Sequence, residues 1–159
     1  DFGNLIALLH NKKPVLGIIN CPAHDERWVG IKNKITKCNA KEIQTSKIQT
    51  IKDAYLFTSG LYFQEPQIKK GLELLKKKSR YYRLGGDCYM YGMLASGFVD
   101  IVLEDTLKVH DYMALINVIQ GSGGIITDKF GKEISLESDG SLVASSSKSL
   151  HDEIIKLIN

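Results

Sequence analysis

The chain has 159 residues, 43% of them hydrophobic and 25% charged, and carries a net charge of +3. That length and balance suit one ordinary soluble domain able to bury a sizeable core. No stretch approaches the roughly 20 apolar residues a transmembrane helix needs, and no targeting signal is visible, so a cytoplasmic protein without a membrane partner is expected. The three cysteines, Cys21, Cys38 and Cys88, are odd in number and lack C-x-x-C spacing. Reduced thiols fit this pattern better than a disulfide framework or a zinc site.

Residues 5–9 and 15–19 are apolar runs separated by a polar turn, which predicts a hairpin of two buried strands. Residues 26–32 supply a third strand, and 33–51 read as polar surface structure carrying short strands. A compact buried strand follows at 54–58 and leads into a loop. Over 65–78, Ile68, Leu72 and Leu75 fall at helical spacing, Pro66 suits the first turn, and the lysines toward the end suit the helix dipole. Lys69, Lys70, Lys76, Lys77, Lys78 and Arg80 cluster there, but no aromatic platform is interleaved with them. They read as a solvated helix face, and no nucleic-acid partner is expected.

The turn Gly85-Gly86-Asp87-Cys88 comes next, with Asp87 at an expected N-cap and Met90, Met93, Leu94 and Gly97 following on one helical face. Residues 99–104 form a strand, and Val109, Tyr112, Ile116 and Ile119 mark the buried face of the next helix, which stops at Gly121-Ser122-Gly123-Gly124. Short strands at 125–127 and 142–144 flank a turn-rich connection, and a helix over 149–158 closes the chain. Strands and helices alternate in the second half while the first half is mostly strand, which gives a layered α/β domain over residues 1–159.

Glu104 closes a strand and Asp111 opens a helix seven positions later. In layered α/β folds ligands favour the crevice at strand C-terminal ends, where an aspartate can bind a hard cation such as Mg²⁺. Helix capping is the competing explanation for Asp111. The glycines of the 85–88 turn would let backbone N–H groups approach an anion or polyol, or simply form a turn. Cys88 reads as a packing thiol, since no His–Asp pair is placed to activate it. His110 is a possible proton carrier or a packing residue, and His10, His24 and His151 form no metal-spaced pair.

Four segments in order resemble the inositol monophosphatase family. They are the stretch from Arg83 to Tyr89, the strand from Gly97 through Asp100 to Glu104, the helix start from Leu107 to Asp111, and the close from Gly121 to Thr127-Asp128. The wording Gly85-Gly86-Asp87-Cys88-Tyr89, with Pro14-Val15-Leu16-Gly17 and Trp28-Val29-Gly30, is similar to the histidinol-phosphate phosphatase branch. The resemblance implies an α-β-α-β-α sandwich of the sugar-phosphatase type, of which the chain is the C-terminal two-thirds.

It further implies a magnesium-dependent phosphomonoesterase that hydrolyses a small phosphorylated alcohol, histidinol phosphate or inositol monophosphate, through metal-activated water. Asp111 then matches a magnesium ligand and Glu104 a binder of the substrate's alcohol portion. Gly86, Asp87 and Cys88 match the turn lining that part of the pocket, and Arg83 a nearby, partly structural arginine. A homodimer is implied for the complete protein. The family's upstream glutamate motif and its Asp-Pro-x-Asp-Gly-Thr motif have no counterpart here, Asp-Gly occurring only at Asp139-Gly140. The 159 residues alone are therefore expected to be inactive, and the alternative is a non-catalytic module that keeps the fold as an interaction protein.

Overall fold

The computed structural model describes residues 2–60 and 63–159; Leu61 and Tyr62, in the loop expected after the fourth strand, lie outside the described residues. Asn11 and Lys12 both adopt left-handed backbone, with φ of 49° and 63°, and so reverse the chain between β1 (Asn4–His10) and β2 (Lys13–Cys21). With β3 (Glu26–Ile31), β4 (Lys37–Cys38) and β5 (Lys41–Glu42) they form an antiparallel sheet in chain order. Strand alternation turns Leu5, Ala7 and Leu9 toward the core and leaves Ile6 53% and Leu8 59% exposed on the other face.

The second sheet has the order β7-β6-β8-β10-β9, built from β6 (Tyr55–Thr58), β7 (Tyr81–Leu84), β8 (Ile101–Glu104), β9 (Ile125–Thr127) and β10 (Leu142–Ser145). β6 pairs in parallel with both β7 and β8, whereas β10 runs antiparallel to β8 and β9. On one face, α1 (Pro66–Lys78) and α4 (Lys148–Ile158) pack Ile68, Leu72, Leu75, Leu150 and Ile154 into one apolar cluster. α2 (Asp87–Ala95) and α3 (Val109–Gly121) fill the space between the sheets, where Met90, Leu94, Leu115 and Val118 meet Ile19 and Trp28. The result is the sandwich that the family resemblance implies, with four of its five layers, α-β-α-β, over the described residues.

Two strands lie directly on the α3 backbone. A Cβ on Gly17 would come 1.9 Å from the Ala114 carbonyl oxygen, and one on Gly30 would come 2.3 Å from the Asn117 carbonyl carbon. Only a residue without a side chain permits that approach.

The chain departs from the sequence reading at three helix starts; α3 begins at Val109, which is exposed and not on its buried face, so Asp111 stands at the third position of that helix. Gly86, with φ of 121°, takes the N-cap position of α2, and Asp87 becomes its first helical residue. The cap demands a backbone conformation that glycine adopts without cost. The last helix begins at Lys148, because the Ser147 hydroxyl oxygen accepts from the Leu150 N–H at 3.3 Å and caps it.

Candidate active site

The chain leaves β6 through α1 to reach β7 on one side, then passes through α2 to β8 on the other side. β6 is therefore a topological switch point, and the C-terminal ends of three parallel strands open onto one edge. A cavity of about 280 Å³ sits there, lined by Ser59, Gly60, Phe63, Asp87, Glu104, Asp105 and Thr106.

Glu104 forms the floor of this cavity and is only 4% exposed. Its Oε1 accepts from the Ser59 N–H at 2.7 Å, the Ser59 hydroxyl at 2.9 Å and the Thr58 hydroxyl at 3.1 Å, and the same Ser59 hydroxyl lies 2.8 Å from Oε2. Burial pushes its carboxyl above the ordinary range, these hydrogen bonds oppose the shift, and the neighbouring Asp87 charge adds to it. The group is an oriented acceptor in a dry position. Asp105 accepts from the Gln64 and Glu65 N–H groups at 2.8 and 2.7 Å, which fixes the chain entering α1 over the cavity mouth.

Asp87 and Thr106 face each other across this cavity with φ of 41° and 63°. Left-handed backbone at two non-glycine residues is strain that the surrounding hydrogen bonds must hold. A further brace comes from Lys129, whose Nζ lies 2.8 Å from both Glu65 and Asp139. Gly140, next to Asp139, accepts from the Leu107 N–H at 3.0 Å, so the Lys129 contacts tie three loops to the rim.

Asp111 stands apart from this cavity. Its Oδ2 accepts from the Lys108 N–H at 2.7 Å, so it does cap α3, and its Oδ1 lies 3.7 Å from His110 Nε2. It lines a separate open groove with Gly3, Asn20, Arg27 and His110. Tyr91 links the two regions: it is 2% exposed, its hydroxyl has no hydrogen-bond partner among the described residues, and burial followed by the Glu104 and Asp111 charges holds it well above the usual phenol range.

Capping uses one Asp111 oxygen and leaves the other for a ligand. Among the described residues no three His, Cys, Asp or Glu side chains come together to hold a metal ion. Mg²⁺ demands near-octahedral oxygen coordination, with one or two carboxylates supplemented by waters and substrate phosphate.

The remaining sequence candidates separate. Arg83 lies on β7 with its guanidinium 6.0 Å from the Phe57 ring centroid, outside the 280 Å³ cavity. Gly86 shapes the turn from its N-cap position. Cys88 packs beside Cys21, and a Cβ on Gly3 would come 2.3 Å from its Sγ. Burial raises both thiols, Cys21 to about 12, which is the state of packing thiols and not of nucleophiles. His110 is exposed, while His151 is buried between the Ser145 and Thr127 hydroxyls at 2.8 and 2.9 Å.

Sequence reasoning missed Ser59, Asp105 and Lys129. Thr58-Ser59 at a strand end and the second acid after Glu104 were the available signals. It also placed no aromatics with the lysines of α1. The fold brings Tyr82 under Lys76 at 5.1 Å and Tyr55 under Arg80 at 5.8 Å, because β6 and β7 run beside the end of that helix.

A sequence profile of the inositol monophosphatase family matches residues 1–159. The chain belongs to the inositol monophosphatase family. It is 43% identical over 145 residues to the chloroplastic bifunctional phosphatase IMPL2 of Arabidopsis thaliana, a match that covers 91% of this chain and 42% of the relative. It is 29% identical over 169 residues to the histidinol-phosphatase of Streptomyces coelicolor, covering 99% of this chain and 62% of that one. Among solved structures, an inositol monophosphatase from Zymomonas mobilis superimposes with a TM-score of 0.95 at 37% identity, covering 99% of this chain and 62% of that one. The chain thus spans about half of the curated relatives it matches. These two curated relatives are phosphatases by name, and no helix among the described residues is long and apolar enough to cross a membrane.

Proposed function

We propose that, in a protein of its relatives' length, this chain forms one wall of a magnesium-dependent phosphomonoesterase site that accepts a small phosphorylated alcohol, histidinol phosphate or inositol monophosphate. The observation that carries the reading is Glu104: a buried carboxylate held by three donors, facing a cavity at a topological switch point. Such an acceptor binds a hydroxyl or ammonium of the alcohol portion and fixes its orientation without reorganising. Asp87 and the turn at Gly86 form the side of that pocket, Cys88 and Arg83 support the turn from behind, and Asp111 offers its second oxygen as a metal ligand. When bound, a divalent cation supplies charge stabilisation at phosphate and a more acidic water. The other donors are assigned to the part of the relatives' length that this chain does not span.

The same proposal includes a cytoplasmic homodimer. Exposed Tyr55, Tyr81 and Phe98, the last 68% exposed, line one aromatic surface of the kind that marks association. Light scattering of the full-length protein tests the dimer, and cell fractionation tests the location.

Activity is tested by phosphate release from histidinol phosphate and inositol monophosphates by the full-length protein, with and without a chelator. Chelator-sensitive release from either ester is expected. Inertness toward both would remove the enzyme reading in favour of a non-catalytic interaction module.

A further inference from the structure

A second cavity, of about 430 Å³, lies along the C-terminal half of α3 and shares no lining residue with the Glu104 pocket. Its volume falls in the range of small-molecule sites. One wall is basic: Lys12 comes from the β1–β2 turn, Lys13 from the start of β2 and Lys32 from just past β3, and the Lys32 N–H donates to the Val15 carbonyl at 3.0 Å, which fastens the end of β3 to β2. The opposite wall is acidic, formed by Glu133 and Glu137 on the connection between β9 and β10. That connection is braced where the Tyr112 hydroxyl donates to the Ser135 carbonyl at 3.0 Å.

No ion pair among the described residues joins the two walls. Between them the floor is apolar, with Ile116, Ile126, Ile134 and Leu136. Asn117 also lines the cavity; it is 3% exposed, and its Nδ2 has no hydrogen-bond partner among the described residues. A buried donor without an acceptor is destabilising and calls for a partner.

We propose that this cavity binds a zwitterionic α-amino acid with an apolar side chain. The carboxylate meets the lysine wall and offers Asn117 the acceptor it lacks, the ammonium meets Glu133 and Glu137, and the side chain covers the isoleucine and leucine floor. A ligand with a single charge satisfies one wall only. A purely apolar one leaves both charged walls and Asn117 unanswered.

Calorimetry on the full-length protein with L-leucine, L-methionine and L-phenylalanine tests the site independently of any turnover. Saturable binding of at least one is expected. For L-leucine, the matched compounds 3-methylbutylamine, which lacks the carboxylate, and 4-methylpentanoate, which lacks the ammonium, should each bind about tenfold more weakly or worse. Lys32→Ala and Glu133→Gln change exposed side chains and should each weaken amino-acid binding by about tenfold, with folding checked by circular dichroism. Absence of saturable binding by all three amino acids overturns the proposal. Equal binding of the amine or the acid, or unchanged affinity in both variants, overturns it as well.

Discussion

Glu104 is raised above the ordinary carboxyl value of 4.5 by burial, so the native state holds its proton more tightly than the unfolded chain does. Its contribution to stability is full below pH 4.5 and is lost as the pH climbs through the raised value. Glu104→Gln abolishes that titration while keeping an amide oxygen for Ser59. The variant's stability relative to the parent should therefore rise from pH 4.5 toward neutrality in urea denaturation, and a pH-independent difference would contradict the assignment. His151 has the opposite sign: burial takes it from 6.5 to about 4, so its contribution is present above pH 6.5 and disappears as the pH falls through about 4. The difference corresponds to roughly 3 kcal/mol. His151→Gln should flatten the loss of stability across that interval, read from denaturation midpoints at stepped pH.

Asp111 caps α3 with one oxygen and is proposed to ligate a metal with the other, and one substitution separates the two. Asn retains a side-chain oxygen to accept from the Lys108 N–H but loses the charge. Asp111→Asn should change stability by less than about 1 kcal/mol, while the Mg²⁺ concentration needed for phosphate release by the full-length protein rises about tenfold or more. A thermal midpoint far below the parent's, with an unchanged Mg²⁺ requirement, would leave capping as the sole role.

At the scale of elements, the fold depends on α3 lying against bare strand backbone at Gly17 and Gly30. Gly30→Ala places a methyl group 2.3 Å from Asn117 backbone on a helix that cannot yield locally, so β3 and α3 must separate. The expected loss is about 3 kcal/mol, measured by chemical denaturation; a loss below about 1 kcal/mol would show that the sheet shifts freely. Most elements were readable beforehand, from the helical spacing of Ile68, Leu72 and Leu75 on α1 or the apolar run 5–9 of β1, whereas the exposed strand β7 carries no such signal. What local pattern could not supply was which strands are neighbours. β6 follows the first sheet in sequence yet begins a second one, and only its parallel partners β7 and β8, on opposite sides, create the crevice that holds Glu104.

At the scale of the whole molecule, one face of the first sheet stays open. Ile6 and Leu8 project from β1, which has an unpaired edge among the described residues. Exposed apolar strands template association. The 159-residue chain prepared alone should self-associate in a concentration-dependent way by light scattering, and Ile6→Glu with Leu8→Glu should suppress this. Monomeric behaviour of the unsubstituted chain would show that the face is closed in solution.

The sequence by itself determined the periodic elements, the layered class and, through the ordered segments from Arg83 to Asp128, the family. These are properties of local pattern and of residue order, which survive without knowing what touches what. Tertiary structure alone decided that Asp111 sits beyond Tyr91, in a groove separate from the pocket of Glu104 and Asp87. It also decided that Ser59 and Lys129 hold the rim, and that lysines and glutamates from three distant segments face each other across α3. Burial, hydrogen-bond partners and facing charges are relations between residues far apart in the chain, and folding creates them.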